Sequence, residues 1–144
     1  MADGHHADER GSVLMLVPAG ILVLIALAGI AFDFSHLYLG QRELADVVES
    51  VANDAATYAI DQGALRSRGQ IVFDEARADA IGALAEANPP SDVRITSLEV
   101  DIDPATGQVT VTASAVIDPV FLRAIPGEAV PREVRATARA TPVP

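Results

Sequence analysis

The feature that most limits what this chain can fold into is residues 13–32, VLMLVPAGILVLIALAGIAF, which contain no charge. A helix rises about 1.5 Å per residue, so a run of this length extends about 30 Å, the hydrocarbon thickness of a bilayer. A soluble helix of ordinary kind shows one apolar stripe, whereas this run is apolar on every face and is expected to span a membrane. Pro18 lies near its start, where a transmembrane helix tolerates the missing N–H. The alternative is a cleaved secretory signal, since Ala26-Leu27-Ala28 resembles a signal-peptidase site. Signal cores run about 7–15 residues behind a positive segment. Here the run is longer, and Arg10 is set against Asp3, Asp8 and Glu9. The expected layout is a cytoplasmic segment 1–12, a transmembrane helix 13–32 and an extracytoplasmic domain 33–144. Arg10 gives this single-pass orientation in the plasma (inner) membrane by the positive-inside rule.

Composition removes several function classes. The formal net charge is −10, and the ten basic residues are all arginine. Nucleic-acid binding depends on Lys/Arg neutralising phosphates, and single-strand binding on aromatic platforms. With four Phe, two Tyr and no Trp, this acidic chain is expected to bind no nucleic acid. The lack of cysteine excludes disulfides, thiolate metal sites and a cysteine nucleophile. The lack of lysine excludes Schiff-base chemistry, and no phosphate loop, dinucleotide fingerprint or nucleophile elbow is present. The sequence therefore predicts no enzyme, no cofactor and no small-molecule substrate. His5 and His6, beside Asp3, Asp8 and Glu9, read as a solvated tail rather than a metal site.

Past the apolar run, Phe34, Leu37, Leu44, Val48, Val51 and Ala55 recur at helical spacing, opposite Arg42, Glu43, Asp46, Glu49, Asn53 and Asp54. This predicts a helix over 33–62 that continues the membrane segment, with Gly63 as its C-cap. The stripe either packs on the chain's own domain or receives a partner helix. Residues 63–69 read as a connection, and a second helix is expected over 72–88, ended by Asn88-Pro89-Pro90. Alternating apolar residues then predict strands near 93–103, 108–118 and 132–141. Residues 103–107 (DPATG) form the turn of the first hairpin, which accounts for Asp103, Pro104 and Gly107 in the Asp101-x-Asp103-x-x-x-Gly107 pattern without a calcium ion. Pro119, Pro126 and Gly127 bracket an excursion containing Val120, Phe121 and Leu122. The fold class is α+β: a long N-terminal helix and a second helix packed on an antiparallel sheet of about three strands.

The segments Arg10-Gly11-Ser12-Val13, Ala31-Phe32-Asp33, Leu37-Tyr38-Leu39-Gly40-Gln41-Arg42-Glu43-Leu44 and Asn53-Asp54-Ala55-Ala56 carry a family resemblance. Over about the first 60 residues the chain resembles the TadE/TadG-like proteins of tight-adherence (Flp) pilus systems, in their short actinobacterial form. The resemblance implies a pilin-like, membrane-anchored component of pilus assembly. Its implied partners are membrane lipid, other pilin-like subunits and the pilus assembly platform proteins. Gly11 and Ser12 match the prepilin-type cleavage position. The fifth residue after that position, a glutamate in processed members, is Leu16, which leans toward an uncleaved, TadG-like N-terminus. The runner-up functions are a binding module released by signal peptidase near Ala28 and an anchored envelope regulator.

Overall fold

In a computed structural model, residues 6–124 and 130–142 are described, residues 6–15 as backbone alone. The first element, α1, is one unbroken helix over His6–Tyr58. No proline follows Pro18 until Pro89, so nothing interrupts the ladder between the apolar run and the domain. Two short helices follow, α2 (Gln62–Arg68) and α3 (Glu75–Ala87), and then three strands, β1 (Arg94–Ile102), β2 (Val109–Ile117) and β3 (Arg132–Ala140). The strands form an antiparallel meander in the order β1-β2-β3. The α+β arrangement expected from the sequence is what the chain adopts.

The register is pinned at both ends of the central strand, with Val109 opposite Ile102 and Ala140 and Ile117 opposite Arg132. Thr96 is an extra residue in β1, because Ile95 faces Ala115 while Ser97 faces Ser114. Its hydroxyl donates to the Ser114 carbonyl at 3.1 Å across this bulge. The turn 103–107 closes as the sequence suggests. Asp103 accepts from the Ala105 N–H at 2.9 Å and the Thr106 hydroxyl at 2.7 Å, and Gly107 takes φ 68°, where a Cβ is disfavoured. These donors, led by the Thr106 hydroxyl, hold the Asp103 carboxyl below its ordinary value.

One face of the sheet carries the core. Val109, Val111, Ala113, Ala115 and Ile117 are fully buried and cluster with Leu44, Val48, Val51, Ala52, Ala55, Ala56 and Ala59 of α1. The alanines on β2, with Ala136 and Ala138 on β3, make a shallow floor on which the helix lies close. Gly40 is part of that fit: a Cβ there would sit 2.5 Å from Ile117 Cδ1. Gly40→Leu is expected to cost about 1–3 kcal/mol through overpacking. Adding Ile117→Ala should recover part of that loss, so the two effects will not add. Urea unfolding of the single and double variants in detergent measures the coupling, and strict additivity would refute the contact.

Three sequence expectations are corrected. The first helix ends at Tyr58 rather than 62, and Gly63 is not its cap. Asp61 takes extended backbone and caps a new helix, accepting from the N–H groups of Gly63 at 2.8 Å and Ala64 at 3.1 Å. The expected connection 63–69 is therefore mostly α2, closed by Gly69 at φ 65°. The third helix starts at Glu75, because Asp74 is its N-cap and residue 73 is held in a bridge to Ile60. Pro126 and Gly127 lie outside the described residues, but Leu122–Ala124 of that excursion form a 3₁₀ turn.

Candidate functional site

Two parts of α1 behave differently. From residue 16 to residue 28 the side chains meet solvent: Leu24 is 67% exposed, whereas Leu44 is 0% exposed. Among the residues whose side chains are described, Gly29 is the first buried one, and from Asp33 onward the helix is seated on the domain. Leu16–Tyr58 contains a stretch long and apolar enough to cross a membrane. The free apolar rod and its junction with the domain form the candidate site.

The junction is built around Asp33, one residue beyond the apolar run. Asp33 is only 8% exposed, and its carboxylate accepts three backbone hydrogen bonds from the loop after β2. Oδ1 receives the N–H groups of Val120 and Phe121, both at 2.8 Å, and Oδ2 receives that of Leu122 at 2.7 Å. Burial alone raises the carboxyl pKa, but these donors, helped by the nearby His36, hold it below its ordinary value. The Phe121 ring lies directly over Gly29, where any β-carbon would collide with it. A narrow cleft of about 70 Å³ opens beside the carboxylate, walled by Ile30, Phe34, Leu37, Ile117 and Val130. Asp118, at the loop's start, pairs with Arg94 at 2.8 Å and Arg123 at 3.5 Å. These exposed pairs orient the loop and contribute little stability.

The six stripe residues separate here. Leu44, Val48, Val51 and Ala55 are buried in the chain's own core, so of the two readings of the stripe they follow own-domain packing. Leu37 is half-buried against that core, and Phe34 is 68% exposed. A partner helix would therefore meet Phe34 and the residues before it, not the later stripe. Gly11 and Ser12 lie within α1, where only the backbone is described. His5 lies outside the described residues. Among the described residues, no three His, Cys, Asp or Glu side chains gather as a metal site.

Sequence reasoning did not assign Asp33 a task. Its only signal was an acid placed at the very end of an apolar run, where charge is costly unless partnered. The partners lie 87 to 89 residues away, beyond any local pattern. The Phe121–Gly29 contact was equally hidden, because both residues are unremarkable in their own segments.

Protein-family models, curated proteins and solved structures were each compared with the chain, and none of the three returns a match.

Proposed function

We propose that this chain is a membrane-anchored, pilin-like component, a minor pilin or pseudopilin, that assists assembly of a tight-adherence (Flp-type) pilus. In this reading it is not an enzyme. It sits in the plasma (inner) membrane with its N-terminus cytoplasmic, and its partners are pilin-like subunits and assembly platform proteins. One observation carries the reading: a single 53-residue helix leaves its apolar residues 16–28 uncovered and seats its later part on a three-stranded antiparallel sheet. A rod of that kind is suited to stand in lipid or to pack beside other such rods, while the domain remains in water. The sequence resemblance over the first 60 or so residues supplies the pilus system.

Deleting the protein from cells that make it is expected to abolish or sharply reduce surface pili seen by electron microscopy, with recovery on complementation. Normal piliation would sink the pilus role. Washing membranes with alkaline carbonate is expected to leave the full-length chain in the pellet.

A second reading, a domain exported and freed by signal peptidase, is favoured by one specific fact. Packing begins at Gly29, so a cut after Ala28 would release a domain with its core whole. Mass spectrometry of the native N-terminus separates the two: an intact start or a start at Ser12 keeps the rod, and a start at Gly29 removes it.

A further inference from the structure

The loop after β2 carries large apolar side chains outward at one level of the molecule. Val120 is 54% exposed, and Val130, at the far end of the same connection, is 62% exposed. Val130 shares the cleft with Ile30 and Phe34 of α1, so the patch lies along one side of the helix where it meets the domain. Such a patch on a strongly acidic domain calls for something to cover it.

Its level along the helix identifies the cover. Phe121 rests on Gly29, three residues inside the apolar run 13–32, or about 4.5 Å inboard of Phe32 along the axis. If that run lies in lipid, the loop reaches the boundary between headgroups and acyl chains. Apolar faces of interfacial segments settle about 5–10 Å into that boundary.

Backbone can enter such a region only if its polar groups are satisfied within the protein. Most of this loop's N–H donors meet that condition. Pro119 has no N–H, the next three N–H groups donate to Asp33, and that of Ala124 donates to the Phe121 carbonyl at 3.0 Å. The charges nearby also suit a lipid surface. Among the described residues of this rim, Arg94, Arg123 and Arg132 balance Asp33, Asp92 and Asp118, in a chain of net charge −10. Headgroups are not repelled.

We infer that residues 119–122, with Val130, form a second membrane contact: a foot that lays Val120 and Val130 into the lipid interface beside the anchor. The inference rests on the anchored reading of residues 13–32. Its consequence is geometric. A lone helix leaves a domain free to tilt about its exit point, and a foot bonded to that helix fixes the domain's height and rotation against the bilayer.

The chain has no tryptophan, so a single substitution gives an unambiguous optical probe. Val120→Trp, Val130→Trp, Leu24→Trp and Leu84→Trp would be placed separately in the full chain. Each variant would be reconstituted in phosphatidylcholine vesicles with bromine either shallow or deep on the acyl chain. All four sites are exposed, so no core packing is disturbed. Leu84 is the control in water, since it adjoins Val51, about 28 Å along the helix from Phe32. The expected result is deep quenching at position 24, none at 84, and a blue-shifted emission quenched best by shallow bromine at 120 and 130. Quenching at 24 with water-like, unquenched emission at both 120 and 130 would overturn the foot and leave the anchor standing. Blue-shifted but unquenched emission at both, with 24 still quenched, would overturn it in favour of a protein cover. No quenching at 24 would remove the anchored reading, and the foot with it.

Discussion

Val48→Asp is expected to unfold the domain while leaving the anchor in place. Val48 is fully buried beneath the sheet, in one cluster with Leu44, Val51, Val111 and Ala113. A carboxylate put there finds no partner, and an uncompensated buried charge costs about 3–5 kcal/mol or more. A domain of this size holds only about 5–15 kcal/mol in total. Loss of protease resistance and of strand signal in circular dichroism, measured on the full chain in detergent, reads the effect. Alkaline carbonate should still leave the variant in the membrane pellet, because residues 16–28 are exposed and outside the buried core. Phe34→Ser belongs to the same sequence stripe and should shift stability by less than about 0.5 kcal/mol, since Phe34 is exposed. Equal damage from both substitutions would mean that the stripe is not divided as the burial pattern has it.

That division marks the boundary of what the sequence could tell. Apolar periodicity places Leu44, Val48, Val51 and Ala55 on one helix face because it is a local property, set by a few turns of the same helix. The hairpin at 103–107 was legible for the same reason: Asp103, Thr106 and Gly107 bond one another within five residues. The α+β class follows from a change of period near Pro90, from helical to alternating. Periodicity does not say what covers a face, so Phe34 read the same as Val48. The end of the first helix was misplaced because Asp61 has two uses, as one more helical residue or as the cap of a new helix. Three-dimensional closure chooses the second, with the Asp61 N–H donating to the Val72 carbonyl at 2.7 Å and the Asp74 N–H to that of Ala59 at 2.7 Å. The junction was the least legible part, because its bonds join residue 33 to residues 120–122.

Asp33→Ala is expected to release the loop from the helix, with the remainder of the domain largely intact. The substitution removes the one carboxylate that three N–H donors share. Amide exchange should therefore accelerate by about tenfold or more at Val120, Phe121 and Leu122, the equivalent of one lost hydrogen bond at each. Exchange at Val111 and Ala113, in the central strand, should hardly change. Asp33→Asn makes a finer test. Its one carbonyl oxygen can replace Oδ1 for Val120 and Phe121, but its amino group then faces the Leu122 N–H, donor against donor. Leu122 should lose protection first. Acid should imitate the alanine variant, with a definite sign. The folded pKa lies below the ordinary 3.8, so the carboxylate's contribution is complete above that value and is lost as pH falls through the folded pKa. The clamp should accordingly be indifferent to pH from neutrality down to about 4. An NMR titration of the Asp33 carboxyl carbon checks this, with a midpoint expected below 3.8 in the wild-type chain. A midpoint above that value would mean burial outweighs the three donors. Acid would then favour the folded junction instead of loosening it, while Asp33→Ala would still strip the three N–H groups of their acceptor.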